Sequence, residues 1–348
     1  MKFSICIPNF NYEKYVGRTI QSVLASTYQD FEILVSDNAS TDKSREVVQA
    51  VDDARIRLSV NACNVGFAGN LDRAARMATG EYMLMLSSDD LMKPTALETY
   101  RTLFDALKSD APGAVITAAC DVINPEDRTT ASWGLLRGNI WRPSDRVSEL
   151  ESLVGAPVYR VAADEMLKRC LPNMQNPLYF LATIYPRALY HAVEGYGGGR
   201  CITPDKWFHW RLLGAAQSVL FVDKPLFGYR VHPANQNAQQ SVLGALKDQV
   251  DDYLNTIEFD NALLLRLGLT REHLIEAFVE FGIARRALAC LGRGDRQRAW
   301  RILTYGRACY PRHVRHNKNA WLLRALLALG PLGSWLGGRL YRRYKQSL

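Results

Sequence analysis

Strand-like and helix-like segments alternate along the first 120 residues of the chain. Short β-branched or apolar runs predict strands, and between them apolar residues recur at helical spacing. The predicted strands are Phe3–Ile7, Phe31–Ser36, Ile56–Val60, Tyr82–Leu86 and Ala114–Ala118. This order is typical of βαβ units, in which helices cover both faces of a parallel sheet. We therefore expect an α/β fold with a mixed, mainly parallel sheet flanked by helices and followed by a C-terminal helical extension.

The last quarter of the chain differs from the rest in charge. Residues 266–348 contain 17 Lys or Arg and 4 Asp or Glu, whereas the chain as a whole has a net charge of +8. We divide the 348 residues into a first domain, 1–240, and a helical, basic region, 241–348. Such a charge asymmetry favours an anionic membrane surface or nucleic acid as partner, although basic helices are also found as solvated faces. We expect no nucleic-acid partner, because no recognition motif accompanies the basic residues.

Within this basic region, Ala325–Gly338 is a charge-free run of 14 residues, too short to span a bilayer. The basic residues that follow it favour an interfacial helix on a membrane, and a helix packed on the domain is the alternative. Near the N-terminus, Met1-Lys2 leads directly into a strand, and the 7 cysteines form no CxxC pair. We therefore expect a cytoplasmic protein in a reducing compartment, with the inner face of the cell membrane as the tail's candidate surface.

Two adjacent carboxylates follow the buried strand Tyr82–Leu86, in the sequence Ser87-Ser88-Asp89-Asp90. Paired carboxylates at the edge of a sheet are costly unless a cation meets them. Ligands of open α/β sheets bind at the carboxyl ends of the strands. Mg²⁺ or Mn²⁺ carrying a diphosphate would satisfy both conditions, because hard cations prefer oxygen ligands. The alternative is a helix N-cap before Pro94-Thr95.

Polar loops follow three other predicted strands at the same edge of the sheet. Asp37 is suited to accept a hydrogen bond from a pyrimidine N–H group, while Thr41 or Asp42 caps the next helix. Gly66 and Gly69 allow the backbone to approach a ligand before a helix N-terminus. Each loop alone has an ordinary structural explanation, but together they predict a nucleotide site. Its candidate residues in these loops are Pro8, Asn9, Asn11, Tyr12, Asp37, Asn64 and Asn70.

As a set, these motifs resemble glycosyltransferase family 2, the inverting transferases with a GT-A fold. The resemblance covers roughly residues 1–235 and implies a transferase of bacterial cell-surface polysaccharide assembly. By this resemblance Asp37 binds the base, Ser88 and Asp89 contact the nucleotide sugar, and Asp90 and Asp89 hold the metal, with Asp90 the firmer ligand. The family often has Asp at the position of Ser87, so this chain lacks one carboxylate there.

Two later segments also match the family. Asp205, six residues before Arg211, resembles the catalytic base, with Pro204 at a position where the family has an acid. The alternative role for Asp205 is to cap a helix that begins at Lys206. The sequence Tyr229-Arg230-Val231-His232 resembles the family's end motif, in which Arg230 would meet phosphate and His232 the metal. A surface histidine without ligand is the alternative for His232.

The resulting hypothesis is an inverting transfer of a sugar from a nucleotide-diphosphate sugar to a hydroxyl of a saccharide acceptor. The resemblance implies lipopolysaccharide O-antigen or capsule assembly, and the basic tail favours a lipid-linked acceptor. We expect the acceptor beneath Asn124–Pro157, where Trp133 and Trp141 are candidates for stacking on sugars or for simple packing. The rival hypotheses are a sugar nucleotidyltransferase, which would need a basic Gly-rich loop after the first strand, and a noncatalytic nucleotide-sugar binder or membrane scaffold.

Overall fold

The computed structural model of the chain describes residues 1–134, 140–197, 202, 204–233, 235 and 246–346, with side chains to residue 339. It divides into two compact units. The first comprises residues 1–167 and 176–235, and the second comprises residues 168–175 and 236–348. Among the described residues, all the strands lie in the first unit.

The strands of the first unit form one mixed sheet, in the order β3-β2-β1-β4-β9-β6-β10-β5, with β7 paired to β6 and β8 to β10. β1 is parallel to β2 and β4, β2 to β3, and β10 to β6, whereas the other pairs are antiparallel. The strands are β1 Phe3–Asn9, β2 Phe31–Asp37, β3 Ile56–Val60, β4 Tyr82–Met85, β5 Leu91–Met92, β6 Ala114–Ile123, β7 Thr129–Trp133, β8 Val158–Ala162, β9 Ile184–Pro186 and β10 Ser218–Arg230.

The helices of the first unit cover this sheet. Apolar residues at helical spacing turn inward, as in α1, where Val16, Ile20 and Val23 are fully buried. The helices are α1 Val16–Leu24, α2 Ser44–Gln49, α3 Gly66–Arg76, α4 Ala96–Leu107, α5 Ser148–Val154, α6 Ala163–Cys170, which continues into the second unit, α7 Arg187–Ala192 and α8 Pro204–Ala215.

The described part of the second unit is helical, as expected for the C-terminal region. A π-helix, Phe278–Arg285, interrupts the series. The helices are α9 Lys247–Glu258, α10 Asn261–Arg266, α11 Arg271–Ala277, α12 Arg286–Gly292, α13 Arg296–Cys309, α14 Pro311–His316, α15 Lys318–Ala328 and α16 Gly330–Gln346. Within the described residues, no helix is both long and apolar enough to cross a membrane.

The alternating order predicted for the N-terminal half is confirmed, and two differences follow from local geometry. The sequence predicts two separate short strands at Val219–Val222 and Leu226–Tyr229, but these runs form the single strand β10. Its pairing with β6 shifts register between Val222 and Pro225, so a bulge joins the two runs. The sequence also predicts that Asn124–Pro157 is irregular, whereas this stretch contains β7 and α5, and residues 135–139 lie outside the described residues.

A buried carboxylate, Glu32, joins segments at the amino-terminal ends of the parallel strands. Glu32, at the start of β2, accepts hydrogen bonds from Ser4 Oγ (2.6 Å) and the Thr79 backbone N–H (2.7 Å). It also pairs with Lys2 and Arg57. Burial raises the pKa of Glu32, but these hydrogen bonds outweigh it and lower the pKa to about 2. Glu32 thus ties β1 and β2 to the turn before β4.

Candidate active site at the carboxyl edge of the sheet

The carboxyl ends of β1 and β2 meet in register, which places Asn9 opposite Asp37. Asn9 Nδ2 donates to Asp37 Oδ2 at 3.0 Å. Asp37 Oδ1 accepts the Ser40 N–H (2.9 Å) and Arg45 Nε (3.1 Å), and the side chain is only 1% exposed. Burial raises the pKa of Asp37, yet the hydrogen bonds from Ser40, Asn9 and Arg45 bring it below its ordinary value. Asp37 is therefore ionised and fixes the loop after β2; its contact with a base stays a prediction.

Asn64, in the loop after β3, and Asn70, in the helix α3 that follows, differ in exposure. Asn70, in α3, is buried and accepts from Ser36 Oγ at 2.7 Å while donating to the carbonyls of Ser36 and Asn9. Its amide thus joins three segments of the sheet edge. Asn64 is exposed and caps the turn at Gly66, whose φ of +77° suits glycine. Of the two, Asn64 is the one that a nucleotide can reach.

The loop after β1 borders an open cleft. Pro8 is buried within β1, and Asn11, at φ +57°, accepts the Thr41 N–H at 2.8 Å. Asp42 accepts the N–H of Ser44, the first residue of α2, at 3.0 Å, but the N-cap position itself is Lys43, so neither Thr41 nor Asp42 is the N-cap that was expected. The cleft has a volume of about 340 Å³ and is lined by Asn11, Tyr12, Glu13, Lys14, Tyr15, Asp42, His232 and Pro233. It brings the predicted residues Asn11, Tyr12 and His232 together.

Asp89 and His232 form the polar centre beside this cleft, although they are 143 positions apart. His232 Nε2 lies 3.0 Å from Asp89 Oδ2, and Asn235 Nδ2 donates to the same oxygen at 3.1 Å. Asn235 Oδ1 in turn accepts the His232 N–H. The Tyr15 ring packs on the His232 ring at 4.5 Å. The structure thus joins the carboxylate pair to the end motif, as the resemblance implied.

Asp90 has a different environment from Asp89. Its side chain is 1% exposed, and Oδ1 accepts the backbone N–H of Arg230 at 2.8 Å. Burial, followed by the charge of Asp89, raises the pKa of Asp90 well above its ordinary value. Asp90 is thus tied to the backbone of β10, whereas Asp89 contacts His232, and the metal roles of both carboxylates stay predictions. Ser88 is also buried, and its carbonyl accepts Thr19 Oγ1 at 2.9 Å.

Arg230 requires a correction, because its guanidinium is wholly buried rather than placed at the surface to meet phosphate. Nε donates to the Asp89 carbonyl at 2.6 Å, and Nη1 donates to the Asn124 carbonyl at 3.1 Å and pairs with Asp127. The Tyr15 ring packs on the guanidinium at 5.0 Å. Arg230 therefore acts on the site by fixing the Asp89 backbone.

Asp89 and His232 fit a divalent cation of the Mg²⁺ or Mn²⁺ class. They present one carboxylate and one imidazole nitrogen at the same point, next to an open cleft. Mg²⁺ is commonly held by one or two carboxylates together with substrate phosphates. Among the residues the structure describes, no cluster of three or more His, Cys, Asp or Glu side chains could hold a metal alone. A cation here would therefore need oxygens from the substrate.

Asp205 lies in the first turn of α8, which begins at Pro204 and not at Lys206. It is thus inside the helix and not its N-cap, and a carboxylate near a helix N-terminus is stabilised by the helix dipole. Arg211 anchors the helix by donating to the carbonyls of Val193 (2.5 Å) and Gly195 (2.6 Å). One turn after Asp205, His209 is buried, and desolvation lowers its pKa to about 3. The role of Asp205 as base stays a prediction.

The two tryptophans proposed to stack on sugars have different environments. Trp141 is 5% exposed and packs against Tyr159 and Phe221, so its role is core packing. Trp133, at the end of β7, is 38% exposed. Only Trp133 therefore remains available to a sugar.

Sequence reasoning missed Tyr15, Arg45, Asp127 and Asn235. Asn235 had one usable signal, since it stands three residues after His232 in a turn-forming stretch with Pro233. Arg45 pairs with Asp37, eight positions before it, whereas Tyr15 and Asp127 take part through contacts with residues distant in the chain, as Asp127 does with Arg230. Such contacts have no local pattern.

Part of the chain is similar to known glycosyltransferases. Residues 4–155 match the profile of the family "Glycosyl transferase family 2". An uncharacterised glycosyltransferase of Nostoc is 37% identical over 131 residues, which is 37% of this chain and 39% of the relative. The Escherichia coli UDP-Glc:alpha-D-GlcNAc-diphosphoundecaprenol beta-1,3-glucosyltransferase WfgD is 38% identical over 95 residues, 27% of this chain and 38% of the relative. The chain thus spans about two fifths of the length of these relatives.

Solved structures share the fold. The crystal structure of S. aureus TarS 1–349 in complex with UDP-GlcNAc superposes with a TM-score of 0.63 and 17% identity, covering 100% of this chain and 92% of that one. A crystal structure of the same TarS segment with UDP gives a TM-score of 0.59 at 18% identity, with the same coverage. At such identities the likeness shows the fold. Over residues 4–155 the chain is thus similar to glycosyltransferase family 2, and it has the GT-A fold that it shares with the TarS structures.

Proposed function

We propose that this protein transfers a sugar from a nucleotide-diphosphate sugar to a hydroxyl group of a saccharide acceptor, with inversion at the anomeric carbon. The observation that carries the proposal is the Asp89–His232–Asn235 cluster beside the open cleft. At this point of the sheet edge a carboxylate and an imidazole converge next to a cavity. The loops of Asn9, Asp37 and Asn64 border the same edge, where a nucleoside would lie.

The reaction assigns separate tasks to the carboxylates. A Mg²⁺ or Mn²⁺ ion held by Asp89 and His232 would neutralise the charge that develops on the leaving diphosphate. Asp205 takes the proton of the acceptor hydroxyl, whose oxygen forms the new bond to the anomeric carbon as the bond to the diphosphate breaks. Single displacement from the opposite face inverts the configuration. In this step Asp205 starts as a carboxylate and ends protonated.

The acceptor in this proposal is a saccharide linked to a lipid, as in lipopolysaccharide O-antigen or capsule assembly. The names of two relatives support this choice. WfgD acts on GlcNAc-diphosphoundecaprenol, and a Campylobacter jejuni relative, 35% identical over 101 residues (28% of this chain, 33% of the relative), is named for a GalNAc(5)-diNAcBac-PP-undecaprenol acceptor. A polyprenyl acceptor resides in a membrane, so the enzyme must work at a lipid surface.

The second unit offers a surface for such contact. Trp321, Leu329, Leu332 and Trp335 are each more than half exposed, and Arg339 packs its guanidinium on the Trp335 ring at 4.7 Å. Exposed aromatic and leucine side chains next to arginine are typical of interfacial membrane helices. We include this peripheral contact in the proposal, with the inner face of the cell membrane as its place.

Flotation with vesicles tests the membrane contact. Full-length wild type should float with phosphatidylglycerol–phosphatidylcholine vesicles, and Leu332→Ser/Trp335→Ser should bind several-fold less. Leu153→Ser, at an exposed leucine of α5 in the first unit, is the matched control and should bind like wild type. Equal flotation of wild type and the double variant would refute a contact through this surface.

Thermal denaturation with a panel of nucleotide sugars tests the donor site. We expect one nucleotide class to raise the melting temperature, and the rise to be larger with Mn²⁺ than with EDTA, because ligands stabilise the state that they bind. Incubation of that donor with an alkyl-diphosphate-linked GlcNAc should then yield a longer glycan. A donor that binds and is never transferred to any acceptor would instead indicate a noncatalytic nucleotide-sugar binder.

A further inference from the structure

A partly exposed aromatic layer lies on one face of the sheet, next to the candidate active site. Its outermost member is Trp133, whose ring centroid lies 4.8 Å from that of Tyr229 and 6.0 Å from that of Tyr179. The planes of Trp133 and Tyr179 differ by only 17°. The Tyr179 hydroxyl donates to the Gly134 carbonyl at 2.8 Å, which fixes the tyrosine against the end of β7. The indole is thus supported by its neighbours while 38% of it stays exposed.

This layer is continuous with both parts of the proposed reaction site. Tyr229 directly precedes Arg230, whose backbone N–H holds Asp90. Tyr179 directly precedes Phe180, whose ring lies 6.4 Å from that of Phe67 in the first turn of α3. The Phe180 ring is also 6.4 Å from the ring of His209, one turn along α8 from Asp205. A ligand lying on Trp133 would therefore adjoin the side of the site from which the acceptor must arrive.

A carboxylate that the proposed mechanism does not use lies beside Gly134, the residue that follows Trp133. Asp223 stands at the bulge of β10, and a Cβ atom on Gly134 would come within 3.0 Å of its Oδ1. Asp223 is half-buried, and burial raises its pKa above the ordinary value. Within the described part of the chain, its carboxylate has neither a hydrogen bond nor an ion pair. A hydrogen-bond acceptor without a partner among the described residues therefore lies next to the residue that follows the exposed tryptophan.

We propose that Trp133 and Asp223 form a subsite for a sugar ring of the acceptor, an inference that rests on the proposed function. The negative face of an indole attracts the C–H groups of a pyranose, and the ring excludes water from that side of the sugar. The Asp223 carboxylate accepts a hydrogen bond from a sugar hydroxyl at the edge of the stack. The small Gly134 leaves room for this contact, because any side chain there would crowd Asp223.

Kinetics with Trp133 variants test the subsite, with an alkyl-diphosphate-linked GlcNAc as acceptor and the donor selected by the nucleotide-sugar panel. Trp133→Ala should raise the acceptor KM about tenfold and leave the donor KM within about twofold, since stacking acts only on the acceptor. Trp133→Phe keeps an aromatic face and should recover most of the loss. Asp223→Asn should raise the acceptor KM by a smaller factor. Trp300→Ala, at an exposed tryptophan of α13 in the second unit, is the matched control and should match wild type.

The outcomes separate the subsite from the activity on which it rests. A wild type that transfers no sugar to any acceptor overturns the proposed function. A wild type that transfers sugar, together with a folded Trp133→Ala variant of unchanged acceptor KM, overturns the subsite alone. An equal rise of donor and acceptor KM in Trp133→Ala also overturns it, because the tryptophan would then act on the whole site through the fold.

Discussion

Replacing Arg230 by Met should destabilise the protein strongly, because this side chain is a buried hub. Its guanidinium has no exposed surface and bonds the carbonyls of Asp89 (2.6 Å), Asn124 (3.1 Å) and Pro125 (3.3 Å), besides pairing with Asp127. Hydrogen bonds that involve a charged group contribute roughly 1.5–3 kcal/mol each. Removing the guanidinium leaves the carbonyls that it bonds without this donor, at roughly 1–3 kcal/mol for each one that is buried, so we expect a cost of about 3–5 kcal/mol in all.

Arg18 provides the matched control for this substitution. It pairs with the same Asp127 carboxylate, at 3.0 Å, but its side chain is 43% exposed. Exposed ion pairs contribute at most about 1 kcal/mol, so Arg18→Met should have little effect. Thermal unfolding followed by near-ultraviolet circular dichroism measures the difference. At about 2–4 °C per kcal/mol, Arg230→Met should lower the Tm by roughly 6–20 °C and Arg18→Met by less than about 4 °C. Equal shifts for the two variants would refute the role of Arg230 as the hub.

Three further predictions follow from the titratable groups. His209 has a pKa of about 3 in the folded state against 6.5 when unfolded. The free energy of unfolding should therefore fall by up to about 1.4 kcal/mol per pH unit as pH drops below 6.5. Urea unfolding at pH 7 and 5 should show this slope in wild type and a weaker slope in His209→Phe. The pKa of Glu32 is about 2 in the folded state against 4.5 when unfolded, which stabilises the fold by about 3 kcal/mol above pH 4.5. This stabilisation is lost as pH falls toward 2. Glu32→Gln should therefore be less stable than wild type at pH 7 and equal to it near pH 2, and a constant difference would contradict this. Asp89→Asn should abolish the Mn²⁺-dependent part of the thermal shift caused by the nucleotide sugar. Asp90→Asn should keep this part of the shift, because Asn can still accept the Arg230 N–H. Loss of the shift only in Asp90→Asn would instead identify Asp90 as the metal ligand.

The parallel part of the sheet can be predicted from the sequence, because each of its strands has a recognisable local pattern. β1, β2, β3 and β4 are short apolar runs bounded by polar loops, and their order fixes where the loops of Asn9, Asp37 and Asp89 meet. The antiparallel partners β7 and β9 were missed. β9 has only three residues, and the five residues of β7 are all exposed, so neither shows an alternating pattern.

The roles within the site depended on burial, which the sequence does not reveal. Asp89 and Asp90 are adjacent and chemically equal, but only the first faces His232, while the second accepts the backbone of β10. By its motif Arg230 is a candidate phosphate ligand, but its guanidinium bonds the Asn124 carbonyl and pairs with Asp127, in the hairpin between β6 and β7. These contacts join segments more than 100 residues apart, and a periodic pattern cannot report them.

The central claim, that Asp205 is the base of a sugar transfer at this edge of the sheet, is tested most directly by Asp205→Asn. Asparagine keeps the size of the side chain and removes its ability to take a proton. We predict that the variant binds the nucleotide sugar with Mn²⁺ as wild type does, while single-turnover transfer to the acceptor slows by at least about 100-fold. Transfer by Asp205→Asn at the wild-type rate would contradict the account.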